Sequence, residues 1–139
     1  MSEHWAVKYI GKPYRVGASG PDAYDCWGLV RKVYEDEFRI FLPIRPVPIE
    51  PSVMEKSEAI LKNIMVDWEP AFKPFEGAGV AMSKNMVFHH VGVYTEADGG
   101  KIIHAWDEHS GVVATSHRDL RLVWRFRNVK YYRHKQWPS

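Results

Sequence analysis

The sequence predicts an α+β domain in which helices come first and an antiparallel sheet follows. Three observations carry that expectation. Apolar residues recur at helical spacing in the first forty positions, runs rich in Val, Ile and aromatics follow position 86, and short turn signals separate those runs. Helices first and strands later, without alternation, distinguish α+β from α/β. A chain of 139 residues can bury one real core and is too short for two, so residues 1–139 read as a single domain.

The elements follow in order. Ala6, Tyr9 and Ile10 share one side of a first helical segment, which Gly11 and Pro13 stop. Gly17, Gly20 and Pro21 mark a loop. Cys26, Leu29, Val30, Val33 and Tyr34 then fall at the spacing of an amphipathic helix, and Asp25 just before them is a favoured N-cap. Four prolines between Phe41 and Pro51 forbid a helix and predict an extended surface connection. Ser52 and Glu55 form a capping-box pair that opens a second helix, running to about Met65. Strands are expected over 86–94, 101–106, 111–116 and 123–132, with turns at Asp98-Gly99-Gly100 and over 107–111. Short turns between successive strands imply an antiparallel meander.

Charge and composition narrow the function classes. Net charge is +2, but from Arg118 onward Arg121, Arg125, Arg127, Lys130, Arg133 and Lys135 face one acid, Asp119. Such a strip can meet phosphates, yet a solvated face near the terminus is the plainer reading, so nucleic acid is not an expected partner. No stretch approaches the roughly eighteen apolar residues of a membrane span. The start, Met1-Ser2-Glu3-His4-Trp5, shows no basic segment followed by an apolar one, which leads to the expectation of a chain without a secretory signal, cytoplasmic as made or carried out in a larger assembly such as a phage tail. A lone cysteine makes no internal disulfide.

That cysteine stands where chemistry is favoured. The thiolate is the nucleophile, and a free thiol near pKa 8.5 is mostly protonated at neutral pH. A helix's first turn, with its unpaired N–H groups and positive dipole end, favours the anion, and Cys26 occupies that turn if Asp25 caps the helix. The same N–H groups suit the oxyanion of a tetrahedral intermediate.

Histidines supply a base. On a strand alternate residues share a face, so His90 lies with Phe88, Gly92 and Tyr94, and His89 with Val87, Val91 and Val93. In the next strand His104 shares its face with Ile102 and Trp106. A hairpin centred on Ala97 would set His90 directly opposite His104, so that His104 orients the His90 ring. Gly92 would let the Cys26 helix come close. His4, His109, His117 and His134 are expected to be solvated. A Cys-His-His trio is also a zinc-type donor set, but close-spaced ligand pairs are missing and His89 and His90 point to opposite faces, so neither metal nor cofactor is expected.

These residues resemble a known family. Gly11-Lys12-Pro13-Tyr14-Arg15-Val16-Gly17 with Asp25-Cys26-Trp27-Gly28-Leu29-Val30 looks like the opening of NlpC-type cell-wall cysteine peptidases. His90-Val91-Gly92-Val93-Tyr94 and Ile103-His104-Ala105 look like their second and third blocks, in the same order. The resemblance implies a papain-like α+β fold, with N-terminal helices packed on a C-terminal antiparallel sheet. It implies Cys26 as nucleophile, His90 as base and His104 as the residue orienting it, with Tyr14 near the nucleophile and helping to hold the oxyanion. Substrates would be peptidoglycan stem peptides, often cut between D-glutamate and a diamino acid, with no cofactor.

Three positions depart from the pattern. Trp27 stands where serine is common, Ala18 replaces the second glycine of a Gly-Gly pair, and Gly77-Ala78-Gly79 replaces a Gly-Asp step. Trp27 is expected at the rim of the substrate cleft. Asp25-Cys26-Trp27-Gly28-Leu29-Val30-Arg31 with Tyr131-Tyr132-Arg133-His134 looks most like the branch found in phage tail assembly proteins, which implies a phage or prophage origin and tail proteins as partners. The alternatives are a non-catalytic tail component of the same fold, or a related thiol hydrolase of another amide or ester.

Overall fold

Helix α1 (Cys26–Phe38) begins where Asp25 caps it. Asp25 is extended (φ −97°, ψ −178°), and its carboxylate accepts the Gly28 N–H at 2.6 Å. Arg39, left-handed at φ 59°, ends the helix, and its N–H bonds the Tyr34 carbonyl. Cys26, Leu29, Val30, Val33 and Tyr34 are all buried, as their spacing predicts. The structure, a computed structural model, describes residues 4–42, 67–84 and 90–137. The expected helix over 52–65 and nearly all of the proline-rich connection lie outside those residues. The expected first helical segment is a short 3₁₀ helix, Trp5–Lys8, capped by the His4 ring, which accepts the Ala6 N–H.

Among the described residues six strands form one antiparallel sheet: β1 (Trp68–Pro70), β2 (Gly79–Ser83), β3 (His90–Thr95), β4 (Lys101–Ala105), β5 (Val112–Thr115) and β6 (Asn128–His134). Their order is β1-β6-β2-β3-β4-β5. The expected meander is present from β3 to β5, preceded by the unexpected β2, but the last strand returns to lie between β1 and β2. β1 and β2 give no clear strand signal: the first is three residues with a proline at the sheet edge, and the second is Gly-Val-Ala-Met-Ser. The strand expected over 123–132 is corrected too. Helix α2 (His117–Leu122) precedes it, because the Ser116 hydroxyl accepts the Asp119 N–H, and the chain then turns with Arg125 at φ 67° before β6 starts.

Strand alternation sorts the core into two layers. Val91, Val93, Ile103, Ala105 and Ala81 pack with α1. Val80, Met82 and Ile102 pack with Leu120 of α2 and Phe126 on the opposite face. His90 pairs with Met82 and stacks near Phe126, so it belongs to this second face.

The β3–β4 register differs from the expected one by two residues. Val93 pairs with Ile103 and Tyr94 with Ile102, which centres the hairpin on Asp98 instead of Ala97. Asp98, Gly99 and Gly100 all take positive φ (53°, 81° and 103°), and this left-handed run lengthens the turn. A two-residue shift leaves every side chain on its expected face, whereas a one-residue shift would have moved them all.

Candidate active site

Cys26 is the first residue of α1 and is buried. Its setting is locked from the N-terminal side. The other oxygen of Asp25 accepts the Gly17 N–H at 2.8 Å, and the Asp25 N–H donates to the Ala18 carbonyl at 2.9 Å. Gly28 faces that carbonyl so closely that a Cβ there would lie 2.0 Å from the Ala18 oxygen. The loop and the helix start are therefore one block, which explains the glycine two residues after the cysteine. Through these bonds Asp25 fixes the start of α1 against the loop.

Tyr14 is placed by backbone bonds on either side: Tyr24 N–H donates to Pro13, and Arg15 N–H to Tyr24. Burial, followed by negative charge on Cys26 and Asp25, pushes its phenol up to about 12. Tyr14 thus stays protonated at neutral pH. Trp27, expected at a cleft rim, is half-buried and packs against the α1-side core.

The second half of the site is a buried hydrogen-bonded chain. His90 Nε2 and His104 Nδ1 are 2.8 Å apart, and His104 Nε2 lies 3.0 Å from the Thr115 hydroxyl. All three residues are buried. Phe126 lies parallel to the His90 ring at 5.8 Å, while Trp106 meets it edge-on at 4.9 Å and Trp124 meets His104 at 4.9 Å. The Lys84 ammonium sits over Trp106 at 5.0 Å. His104 reaches His90 diagonally from the shifted register. Gly92 makes this possible, since a Cβ there would lie 2.8 Å from the Ile103 oxygen and 3.0 Å from His104 Cβ. The expectation that Gly92 makes room for the Cys26 helix is thus corrected: β4 fills the space.

Burial pushes His104 down to about 4, so at neutral pH this ring is neutral. A histidine whose folded pKa lies below its unfolded value contributes stability that is full above about 6.5 and is lost as pH falls toward 4. Between pH 7 and pH 5 the native protein should lose about 2 kcal/mol more stability than a His104→Gln variant. Urea unfolding of both at the two pH values measures this, and parallel losses would show that His104 is not held neutral. Comparing variants is needed because burial also lowers His117 and His134.

The far end of α1 is anchored to the sheet. The Tyr34 hydroxyl donates to the Gly77 carbonyl, and the Gly77 N–H donates to Tyr94 at 2.8 Å, fastening the far end of α1 over the Tyr94 end of β3. A 13-residue helix and a six-residue strand are both about 20 Å long, so Cys26 falls toward the His90 end. Gly11 and Lys12 exchange two 2.9 Å backbone bonds with Val112. Since α1 and the His90 ring occupy opposite sheet faces, thiol and imidazole would approach each other around the start of β3, not through the helix–sheet interface.

Thr115 is the residue that sequence reasoning missed. Its signal was modest: it pairs with Ile102 and so shares the face of His104. His89 lies outside the described residues. Of the four histidines expected in solvent, only His109 is exposed. His134 is buried edge-on to Trp68, His117 bonds the Tyr131 hydroxyl at 2.6 Å, and His4 bonds Thr95 at 3.0 Å. Among the described residues no three His, Cys, Asp or Glu side chains converge as a metal site requires. None of their helices is long and apolar enough to cross a membrane.

Comparison with known proteins follows the same outline. The model of the NlpC/P60 family matches residues 11–131. No curated protein sequence matches. Among solved structures, NlpC1 from Trichomonas vaginalis superposes with a TM-score of 0.63 at 19% identity, covering 96% of this chain and 42% of its own. The NlpC/p60 domain of the peptidoglycan hydrolase SagA gives 0.58 at 22% identity, covering 91% of each chain. A Staphylococcus aureus protein similar to a lipoprotein of the NLP/P60 family gives 0.56 at 22% identity, with 90% of this chain and 38% of that one covered. The chain thus spans less than half the length of two of these three neighbours.

Proposed function

The chain belongs to the NlpC/P60 family, and on that premise we propose that it is a cysteine peptidase or amidase acting on peptidoglycan stem peptides. The observation that carries the reading is the buried 2.8 Å contact between His90 Nε2 and His104 Nδ1 at the end of the sheet toward which Cys26 falls. His90 Nε2 faces an orienting partner, and in this reading Nδ1 is the nitrogen that exchanges a proton with the thiol. SagA, a structural neighbour, is described as a peptidoglycan hydrolase, which supports the choice of substrate.

The chemistry then runs in two stages. The Cys26 thiol gives its proton to His90 Nδ1, and the sulfur attacks the carbonyl carbon of the scissile amide. Tyr14, held protonated, donates to the developing oxyanion. The His90 imidazolium returns the proton to the leaving nitrogen, the C–N bond breaks and a thioester remains. His90 next takes a proton from water, whose oxygen attacks the thioester, and sulfur leaves as the protonated thiol. Throughout, His90 Nε2–H donates to neutral His104, which keeps the ring aimed.

The test is direct. Purified protein incubated with peptidoglycan should release peptide fragments with new amino ends, and Cys26→Ala should release none. Native Cys26 should also react with iodoacetamide faster than a model thiol at neutral pH. A protein that releases nothing and labels at the model rate would leave only the non-catalytic reading, a structural component such as a phage tail protein. Cleavage of other amides or esters in preference to peptidoglycan would identify a thiol hydrolase of different specificity.

A further inference from the structure

We infer that Thr115 is a positioning residue that sets the tautomer of His104, and through it the direction of the hydrogen-bond chain ending on His90. The inference rests on the thiol-hydrolase reading above. The chain His90–His104–Thr115 can be polarised in two ways. In one, His104 carries its proton on Nε2 and donates to Thr115 Oγ1, and its bare Nδ1 accepts from His90 Nε2–H. The lone pair of a neutral His90 is then on Nδ1, and the ring can accept a second proton while keeping its bond to His104. In the other, the Thr115 hydroxyl donates, His104 is protonated on Nδ1 and donates to His90 Nε2. His90 then already carries its proton on Nδ1, and a second proton on Nε2 would face the His104 N–H head-on. Only the first polarity lets His90 work as a base.

The surroundings make Thr115 decisive. His104 is 0% exposed and Thr115 7%, so water has little access to complete the chain. A buried N–H without an acceptor is among the rarest defects in folded proteins, and an unused acceptor is better tolerated. Without the hydroxyl, the Nε2–H tautomer would orphan a donor, whereas the Nδ1–H tautomer would leave only a lone pair unused. The balance would tip toward the unproductive polarity. Threonine suits the task because its branched Cβ holds χ1 stiffly on a strand, and β5 is fixed on one side by the Ile102–Thr115 pairing and on the other by the Val112 bonds to residues 11 and 12.

The experiment is nitrogen NMR of ¹⁵N-histidine-labelled full-length chain at neutral pH, with kinetics on peptidoglycan, for the native protein, Thr115→Val and Thr115→Ser. His104 should be protonated on Nε2 in the native and Ser proteins and should shift toward Nδ1–H in the Val variant. kcat should fall roughly ten- to a hundredfold for Val, as when the partner fixing a histidine tautomer is removed, with KM little changed and kcat largely restored by Ser. A native His104 with bare Nε2 overturns the inference without any variant having to fold. So does a Val variant that keeps the Nε2–H tautomer and the native kcat. A native chain inactive on peptidoglycan would overturn the function it rests on, while the ring signals would still decide what Thr115 does.

Discussion

His90→Gln is expected to lower kcat by roughly 10²–10⁴-fold, the usual contribution of a positioned general base, while the fold survives. Glutamine is the sharper probe than alanine. His90 is 2% exposed and packed among Phe126, Trp106 and His104, so an alanine would open a cavity and confuse lost chemistry with lost stability. The glutamine amide fills much of that space and can still donate to His104 Nδ1, but it cannot take a proton from a thiol. Cys26 should then label with iodoacetamide no faster than a model thiol, which ties the loss to the nucleophile. His89→Ala, on the neighbouring residue, should leave turnover near the native level. Melting curves and kcat measured on both variants check this, and a His90→Gln protein with native kcat would remove His90 as the base.

Gly28→Ala is expected to destabilise the protein by about 3 kcal/mol, at the upper end of overpacking costs, and to lower Tm by roughly 10 °C. Two effects compete here. Alanine favours a helix over glycine by about 1 kcal/mol, so an open site would become more stable. Against it stands a backbone oxygen: the new Cβ would lie 2.0 Å from Ala18 O and 2.9 Å from Asp25 Oδ1. A carbonyl that already accepts the Asp25 N–H cannot swing away like a flexible side chain, so loop and helix must part. Parting them strains the Asp25 cap and moves Cys26, and activity should fall along with stability. Thermal melts decide between the effects, and a Gly28→Ala protein as stable as the native one would mean the loop does not press on the helix.

The sequence resolved what local forces settle. α1 was readable from its start because its cap and its apolar stripe lie within a few residues of one another, whereas its stop at left-handed Arg39 carries no such local signal. The faces of β3 and β4 were readable because strand alternation has a period of two, and for that reason the histidine pair survived a hairpin centre misplaced by one residue. The three sequence blocks that carried the family resemblance are the same local signals, and the NlpC/P60 match covers all of them.

What the tertiary structure decided involves partners far apart in the chain. β6 lies between β1 and β2, a placement that turn lengths do not encode. The residue beyond His104 is Thr115 on the next strand, and Gly28 is required by Ala18 on a loop folded back against the helix. Residues 117–122 became a helix because Ser116 caps them and Leu120 has a second core layer to enter, although the stretch after them reads as a strand. Caps and alternation act over a few residues, so a sequence displays them directly. A pairing across the sheet or a carbonyl pressed against a glycine exists only once distant segments have packed, because neither contact has energy until then.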